Sequence, residues 1–572
     1  MRRLKRSLLL PAAAAMALAM AAAGCAQSDR DGGGDASERN ESDPFIFAGA
    51  SNPRSMDPIY ASDGETFRVS RQTTEALLRH EPGGTELEGA LAEDWEHNEE
   101  GTEWTFFLRD GVTFHDGDEF NADAVCANYE RWNETTGMAQ SSSVMYYWNV
   151  LFDGFAENED DDMPDSNFVG CEAEDDLTVT IEIEEYSARY PGAFSMAAMG
   201  LLSPSTIEQI PDDPVGGDSD DPSLPEYALD DTIAGTGPYE LVDWDHGSEE
   251  VKLERFDDYW GDTANIREMI IKTIDDETAR RQALEAGDIH GYDLVAPADV
   301  DPLADAGFNV PERDVFNVMY LAMVGDERIE DDHPDRLEEA EALADKDVRT
   351  AIAHAVDRQR IVDTILPPGG EVATQFIPDT LSGFSSDVTT YDYDPDLARE
   401  MLEDAGYEEG DLELEFCWPT DTTRPYMPAP QDIFNVVSND LEEVGITVNE
   451  NGLIWDDYIP YTEDGACSLY LLGWTGDYNE TYNFLGTWFA GYKSAWRFED
   501  DDVFDTLDAV NAEPDDEARI ELYEEANEAI MDYLPGLPLS SSPPSIAFAE
   551  DIDPPTVSPL TQEDFAETSW AE

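Results

Sequence analysis

Residues 467–484 read CSLYLLGWTGDYNETYNF. The segment Cys467–Trp474 is a near-continuous apolar run, the pattern of a strand covered on both faces rather than one that shows a polar face to water. It ends in a glycine-bearing turn with a lone carboxylate, Asp477, walled by aromatic residues. The chain holds 131 Asp and Glu against 31 Lys and Arg. Most of those acids stand in polar stretches, whereas this one comes directly after a buried strand.

The surrounding sequence alternates strands and helices. LELEFCW (412–418) alternates as a strand, and NVVSNDLEEVGI forms a helix that runs into TVNEN. The spacing predicts one helix over 347–366, closed by Pro367. A second, over 394–406, has Asp394 as N-cap, Pro395 in its first turn and Gly406 at its end. A third, over 518–534, carries Ile520, Tyr523, Ile530 and Leu534 on one face before Pro535. In the first half, EWTFFL (103–108) and LTVTIEI (177–183) read as strands, and NADAVCANYERW as a helix. The stretches 157–167 and 211–226 read as solvated loops, the latter too rich in Pro, Gly and Asp to fold locally. It also lacks the register of a calcium loop. Together these predict α/β lobes built on mixed sheets, and 572 residues exceed one ordinary core.

A formal net charge of −100 argues against a nucleic-acid partner, since phosphate backbones are bound through Lys and Arg. Only five lysines occur: Lys5, Lys252, Lys272, Lys346 and Lys493. That scarcity favours adaptation to a salty, halophilic setting over attraction of a cationic ligand. The first residues, MRRLKRS and then LLLPAAAAMALAMAA, form a basic segment and a short apolar one, the pattern of a signal peptide over 1–24. The AAGC ending resembles a bacterial lipobox, which makes Cys25 the acylated residue and 25–43 a flexible tether at the outer face of the cell membrane. No later segment is long and apolar enough to span a membrane. Cys126, Cys171, Cys417 and Cys467 remain. An even number outside the cytosol suggests two disulfides, and of three possible pairings the local ones, Cys126–Cys171 and Cys417–Cys467, are favoured.

The residues offer no catalytic constellation. There is no G-x-S-x-G, no P-loop and no H-E-x-x-H, and none of the seven histidines neighbours a nucleophile. FHDGDEF around His115 reads as a turn rather than a metal site, and GTGPYEL (235–241) does not open a helix to cradle phosphate. No enzyme activity, metal or cofactor is expected.

Four blocks carry a resemblance: LAEDWEHNEEGTEWTFFLRDGVTFHDGDEFNADAV, GTGPYELVDWDHGSEEVKLERFDDYW, VRTAIAHAVDRQRIV and YDYDPDLAREMLEDAG. In this order and spacing, from about residue 45 to 540, the chain resembles family 5 of the extracytoplasmic solute-binding proteins of ABC importers. It looks most like the dipeptide- and oligopeptide-binding members. The resemblance implies a periplasmic-binding-protein-like fold with two lobes and an inserted domain. The first lobe would comprise 44–78, 187–315 and 538–572, the inserted domain 79–186, and the second lobe 316–537. The lobes would close over a short peptide in the cleft between them. The protein, a monomer, would deliver that peptide to a membrane permease and its ATPases.

For the ligand, the resemblance implies that Asp477 pairs with the peptide ammonium. It also implies that Arg424, in the R-P-Y sequence of TDTTRPYMP (420–428), holds the peptide carboxylate. Burying an ammonium requires a fixed anion beside it, and a guanidinium takes two carboxylate oxygens at once. Trp418, Trp474, Tyr426 and Tyr478 are candidates for lining the cleft or for plain core. Asp477 has an alternative as a turn or helix cap, and Arg424 one as a partner of Asp421. The segment NETYNF departs from the family's D-P-x-N-F by placing Thr481 where proline is usual, which leaves the shape of that loop open. Within the same family the ligand alternatives are a metal chelate, a haem, an oligosaccharide or an antibiotic-like compound. A lipoprotein that senses or adheres without transport is a further alternative.

Overall fold

The computed structural model describes residues 43–571 apart from 212–213, 219–220, 327 and 330–332. The signal segment, Cys25 and nearly all of the tether lie outside them. Among the described residues no helix is long and apolar enough to cross a membrane.

FIFAG, at Phe45–Gly49, is buried along almost its whole length. It runs parallel to both of its neighbours, Glu268–Thr273 and Gly291–Asp293. The six-stranded sheet of the first lobe is ordered Tyr239–Asp245, Glu250–Arg255, Glu268–Thr273, Phe45–Gly49, Gly291–Asp293, Ile546–Phe548. Its outer pairings are antiparallel, so the sheet is mixed. Phe47 packs on Phe565 and Phe548, with ring centroids 4.8 and 6.0 Å apart, which ties the end of the chain into this core.

The inserted region holds a four-stranded antiparallel sheet, ordered Ala92–His97, Glu103–Leu108, Thr178–Ile183, Phe168–Asp175. Trp104, Phe106 and Leu108 alternate inward, the half-buried pattern visible in EWTFFL. Asn121 caps the helix Ala122–Asn133 by accepting from Ala124 N at 2.9 Å, and a disulfide joins Cys126 of that helix to Cys171 of the sheet. The boundaries at 79 and 186 do not separate two cores. Ile59, Phe67, Leu77, Tyr190 and Phe194 share one cluster with the inserted sheet, because one face of that sheet is covered by first-lobe segments.

The second lobe is a five-stranded mixed sheet ordered Thr447–Leu453, Glu413–Pro419, Leu469–Thr475, Asn317–Met323, Gly536–Ser540. All seven residues of Asn317–Met323 are buried. Each large apolar side chain so placed contributes roughly 1.5–3 kcal/mol by leaving water. Leu469–Thr475 is buried at its start and opens at Trp474 and Thr475. The apolar run therefore ends where the sheet meets the cleft. Cys417 of one strand is disulfide-bonded to Cys467, which lies two residues before its parallel neighbour Leu469–Thr475.

Three expectations are corrected. The helix read over 347–366 is two helices, Lys346–Ala355 and Arg358–Thr364. Asp357 ends the first run by capping the second, accepting from Arg360 N at 3.0 Å. The stretch 211–226, read as a loop, carries a small antiparallel hairpin, Gly216–Asp218 with Asp221–Ser223. The chain leaves the second lobe after Ser540 and not at 538, since Gly536–Ser540 pairs with Asn317–Met323 as the edge of that sheet.

Candidate functional site

The cleft end of the second lobe is built from the segments that leave two adjacent parallel strands, Glu413–Pro419 and Leu469–Thr475. After the second strand the chain turns at Gly476, where a Cβ would come within 2.2 Å of Phe316 and 2.8 Å of Phe484. Only glycine fits there, and the turn delivers Asp477. Asn483 then locks the loop. Its Oδ1 accepts from Asp477 N at 2.9 Å and from Trp474 Nε1 at 3.0 Å, and its Nδ2 donates to Asp477 Oδ2 at 3.0 Å. The other carboxylate oxygen accepts from the Tyr147 hydroxyl at 2.9 Å, on the inserted region. Gln562 of the first lobe donates to the Asp477 carbonyl at 3.1 Å.

Asp477 caps no helix: the next one, Tyr482–Phe489, starts from Thr481 with no side-chain cap. Among the described residues no cation pairs with its carboxylate. Burial raises its pKa to about 6, against the opposing pull of the Asn483 and Tyr147 hydrogen bonds and of Arg71. A carboxylate so placed has acceptor capacity left and a net demand for positive charge. Thr481, where the family has proline, is buried and its hydroxyl donates to Ser382 O, so the loop is fastened by a hydrogen bond in place of a ring.

Arg424 opens a tight turn in which Arg424 N donates to Met427 O at 3.1 Å and Met427 N to Arg424 O at 2.9 Å. Its guanidinium carbon lies 3.9 Å from the centroid of Trp455, a stacked cation–π contact. Asp421 does not pair with it, since Asp421 Oδ1 accepts from Trp455 N at 2.8 Å. Arg424 Nε is buried without a hydrogen-bond partner. The side chain borders a groove formed with Leu294 and Val295 of the first lobe and Pro543–Ser545 of the crossing. The two sequence motifs meet directly: the Tyr426 ring lies on Gly473, where a Cβ would come within 2.5 Å of it.

The four aromatic candidates separate. Trp474 is half-buried beside Asp477, edge-on to Trp488 at 5.6 Å. Tyr426 bridges the two motifs. Trp418 belongs to the core instead of the cleft: it stacks on Phe434 at 5.3 Å, because its row of the strand faces the helix Pro430–Glu443, and its indole donates to Glu450. Tyr478 is likewise no lining residue. Its ring is buried in the cluster of the inserted region, against Gly192, and so joins the lobes.

Tyr147, Asn483, Trp455 and Arg71 surround Asp477 and Arg424, and local sequence pattern does not single them out. Asn483 stands in the N-F of the family pattern and is the one legible signal; Tyr147 and Arg71 lie hundreds of residues from the loop they serve. His115 contacts the main chain of Gly235 and Gly237 through its ring nitrogens, as a turn histidine does.

Two α/β lobes joined by two crossings, with an uncompensated carboxylate and guanidinium at the junction, define a two-lobed solute-binding protein. The comparisons specify which. The family model for bacterial extracellular solute-binding proteins, family 5, matches residues 86–496, and the chain belongs to that family. It is 26% identical over 541 residues to the dipeptide-binding protein of Escherichia coli K12, covering 92% of this chain and 94% of that one. It is 25% identical to heme-binding protein A of Haemophilus influenzae, over 94% of both. The crystal structure of the dipeptide-binding protein from Pseudoalteromonas sp. SM9913, in complex with Met-Leu, superposes with a TM-score of 0.75 at 21% identity. That match covers 92% of this chain and 100% of the other.

Proposed function

We propose that this protein captures di- or short oligopeptides in the interlobe cleft and hands them, unreacted, to the permease of an ABC importer. The observation that carries the reading is the pair of uncompensated charges at the ends of neighbouring strands: Asp477 for the peptide ammonium and Arg424 for its carboxylate. A free peptide is the ligand that presents both groups at a fixed separation. Each then finds in the closed cleft the hydrogen-bonding counter-charge that burial demands. Intervening side chains would be tolerated by hydrated pockets. The lipobox-like segment supports tethering through an acylated Cys25 at the outer face of the membrane.

Calorimetric titration with a mixed dipeptide library tests the assignment, together with mass spectrometry of ligand co-purified with the protein. Saturable binding of dipeptides is expected. Binding of none, with a chelate or haem found in the purified protein, overturns it.

A further inference from the structure

A second uncompensated cation stands beside Asp477. Arg71, on the helix Gly64–Thr73 of the first lobe, is half-buried, and among the described residues the one hydrogen bond its side chain makes is a long one from Nη1 to Thr561 O at 3.4 Å. The residue after Thr561, Gln562, donates to the carbonyl of Asp477. A second chain of contacts makes the same connection. The Arg71 guanidinium lies 5.7 Å from the Phe67 ring, Phe67 lies 5.6 Å from Tyr147, and the Tyr147 hydroxyl donates to Asp477 Oδ1. Arg71 and Asp477 are thus held in one neighbourhood by opposite lobes without forming an ion pair.

Composition makes this unusual. In a chain with four acids for every base, the arginine one turn earlier, Arg68, pairs with Glu65 at 3.0 Å and Asp293 at 2.7 Å. Arg313 takes Asp293 and Glu563, both at 2.7 Å. Buried arginines that lack a carboxylate, Arg349 and Arg358, spend their guanidinium groups on backbone carbonyls. Arg71 has neither. The nearest structural use would be to balance Glu563, whose second oxygen is buried without a hydrogen-bond partner, but Arg71 makes no hydrogen bond to it. Burial and the like charge of Arg68 lower its pKa to about 10, the mark of a cation short of negative charge.

We propose that Arg71 is a specificity-determining residue that binds a carboxylate on the side chain of the ligand's first residue, so that the site prefers peptides beginning with Asp or Glu. The first residue is the one concerned because its ammonium is the group assigned to Asp477, next to Arg71. The charges match as a set. Asp477, Arg71 and Arg424 sum to +1, and a dipeptide with an acidic first residue carries one ammonium and two carboxylates, summing to −1. The inference rests on the peptide reading above.

Calorimetry of Glu-Ala, Gln-Ala and Ala-Ala at pH 7.5 decides it. Glu-Ala is expected to bind at least about tenfold tighter than its isosteric amide Gln-Ala, the scale of one charge-assisted bidentate contact. In Arg71→Gln the two should become equal. Equal affinities in the native protein, or a preference that survives in Arg71→Gln, overturns the role of Arg71 and leaves the peptide reading standing. Failure of all three peptides on the native protein overturns both. If Arg71→Gln does not fold, Arg71→Met takes its place in the same comparison.

Discussion

The Tyr147 hydroxyl donates to Asp477 Oδ1 at 2.9 Å, so the carboxylate that the second lobe presents to the cleft is bonded to a helix of the inserted region. With Asn483 on the other oxygen, two neutral donors hold the group where a cation would ordinarily stand. They orient it without discharging it. The consequence is a carboxyl pKa raised from 3.8 to about 6, with burial the dominant cause.

That shift sets the pH dependence. A carboxyl whose folded pKa is raised costs stability where it is charged: the cost is absent below the ordinary value of 3.8, grows as pH rises from there to about 6, and is constant above. A bound ammonium reverses the balance by stabilising the anion. Over the range in which the free peptide keeps its ammonium, below about pH 8, affinity is therefore expected to level off near pH 7 and to fall below about 6. Asp477→Asn should lower affinity at least about tenfold, the scale of a charged hydrogen bond, and abolish that pH dependence. The same variant should melt at a higher temperature than the native protein at pH 7.5 but not at pH 4. Affinity for Ala-Ala across pH 5–8 and paired thermal melts measure both. A native protein with pH-independent affinity would remove the ammonium role of Asp477.

Arg424 is held by its stack on Trp455 and by the turn that Tyr426 seats on Gly473. A lysine keeps the charge but neither the planar fork nor the stack. Arg424→Lys should therefore cost about tenfold or more in dipeptide affinity. Trp455→Leu should cost less, through lost orientation of a guanidinium that is still present. Esterified dipeptides, which lack the terminal carboxylate, should bind native protein and Arg424→Lys alike. An unchanged preference for the free acid in the variant places carboxylate recognition elsewhere.

The surface charge predicts a salt requirement. Arg71 and Arg424 aside, many of the arginines are committed to carboxylates within the fold, and the excess acids repel one another across the surface. At about 0.1 M salt the screening length is about 10 Å, and at 1 M it is about 3 Å. The melting temperature should rise steeply between those concentrations of potassium chloride and little with sucrose at equal osmolality. Equal effects of salt and sugar would make the stabilisation a matter of water exclusion instead of charge.

The parts of this fold legible in the sequence are those set by local pattern. The alternation of EWTFFL, the unbroken apolar run before Trp474, and the Asp394–Pro395 helix start each depend on neighbouring residues alone. Asp477 and Arg424 are visible as charges placed just after buried strands. Their surroundings are not. Tyr147 and Arg71 reach the site only because the first lobe and its inserted region share one core, a contact 330 residues long in sequence for Tyr147. The aromatic candidates divide for a similar reason. Trp418 and Trp474 read alike in composition, but strand register turns one toward Phe434 and leaves the other beside Asn483. The split of the 347–366 helix depends on Asp440, which accepts from Asp357 N at 3.0 Å from 83 residues away.

The least visible relationship is the contact between Tyr478 and Gly192. Tyr478 sits next to Asp477 on the second lobe, yet its ring is 2% exposed within the cluster of the inserted region. A Cβ on Gly192 would come within 2.2 Å of the ring, whose atoms have little freedom to move because the ring is buried. The glycine is thus required by the arrangement of the lobes and not by the helix it sits in, where alanine would be favoured. Gly192→Ala should leave the ligand-free protein as stable as the native one while opposing lobe closure. Dipeptide affinity is then expected to fall by about tenfold, a coupling of the usual size for a change in a two-state equilibrium. Small-angle scattering in the presence of saturating dipeptide should give a larger radius of gyration than for native protein. Tyr478→Ala in the Gly192→Ala background should restore part of the affinity by removing the clash. If Gly192→Ala binds and compacts as the native protein does, the Tyr478 ring moves freely at this junction and closure does not depend on it.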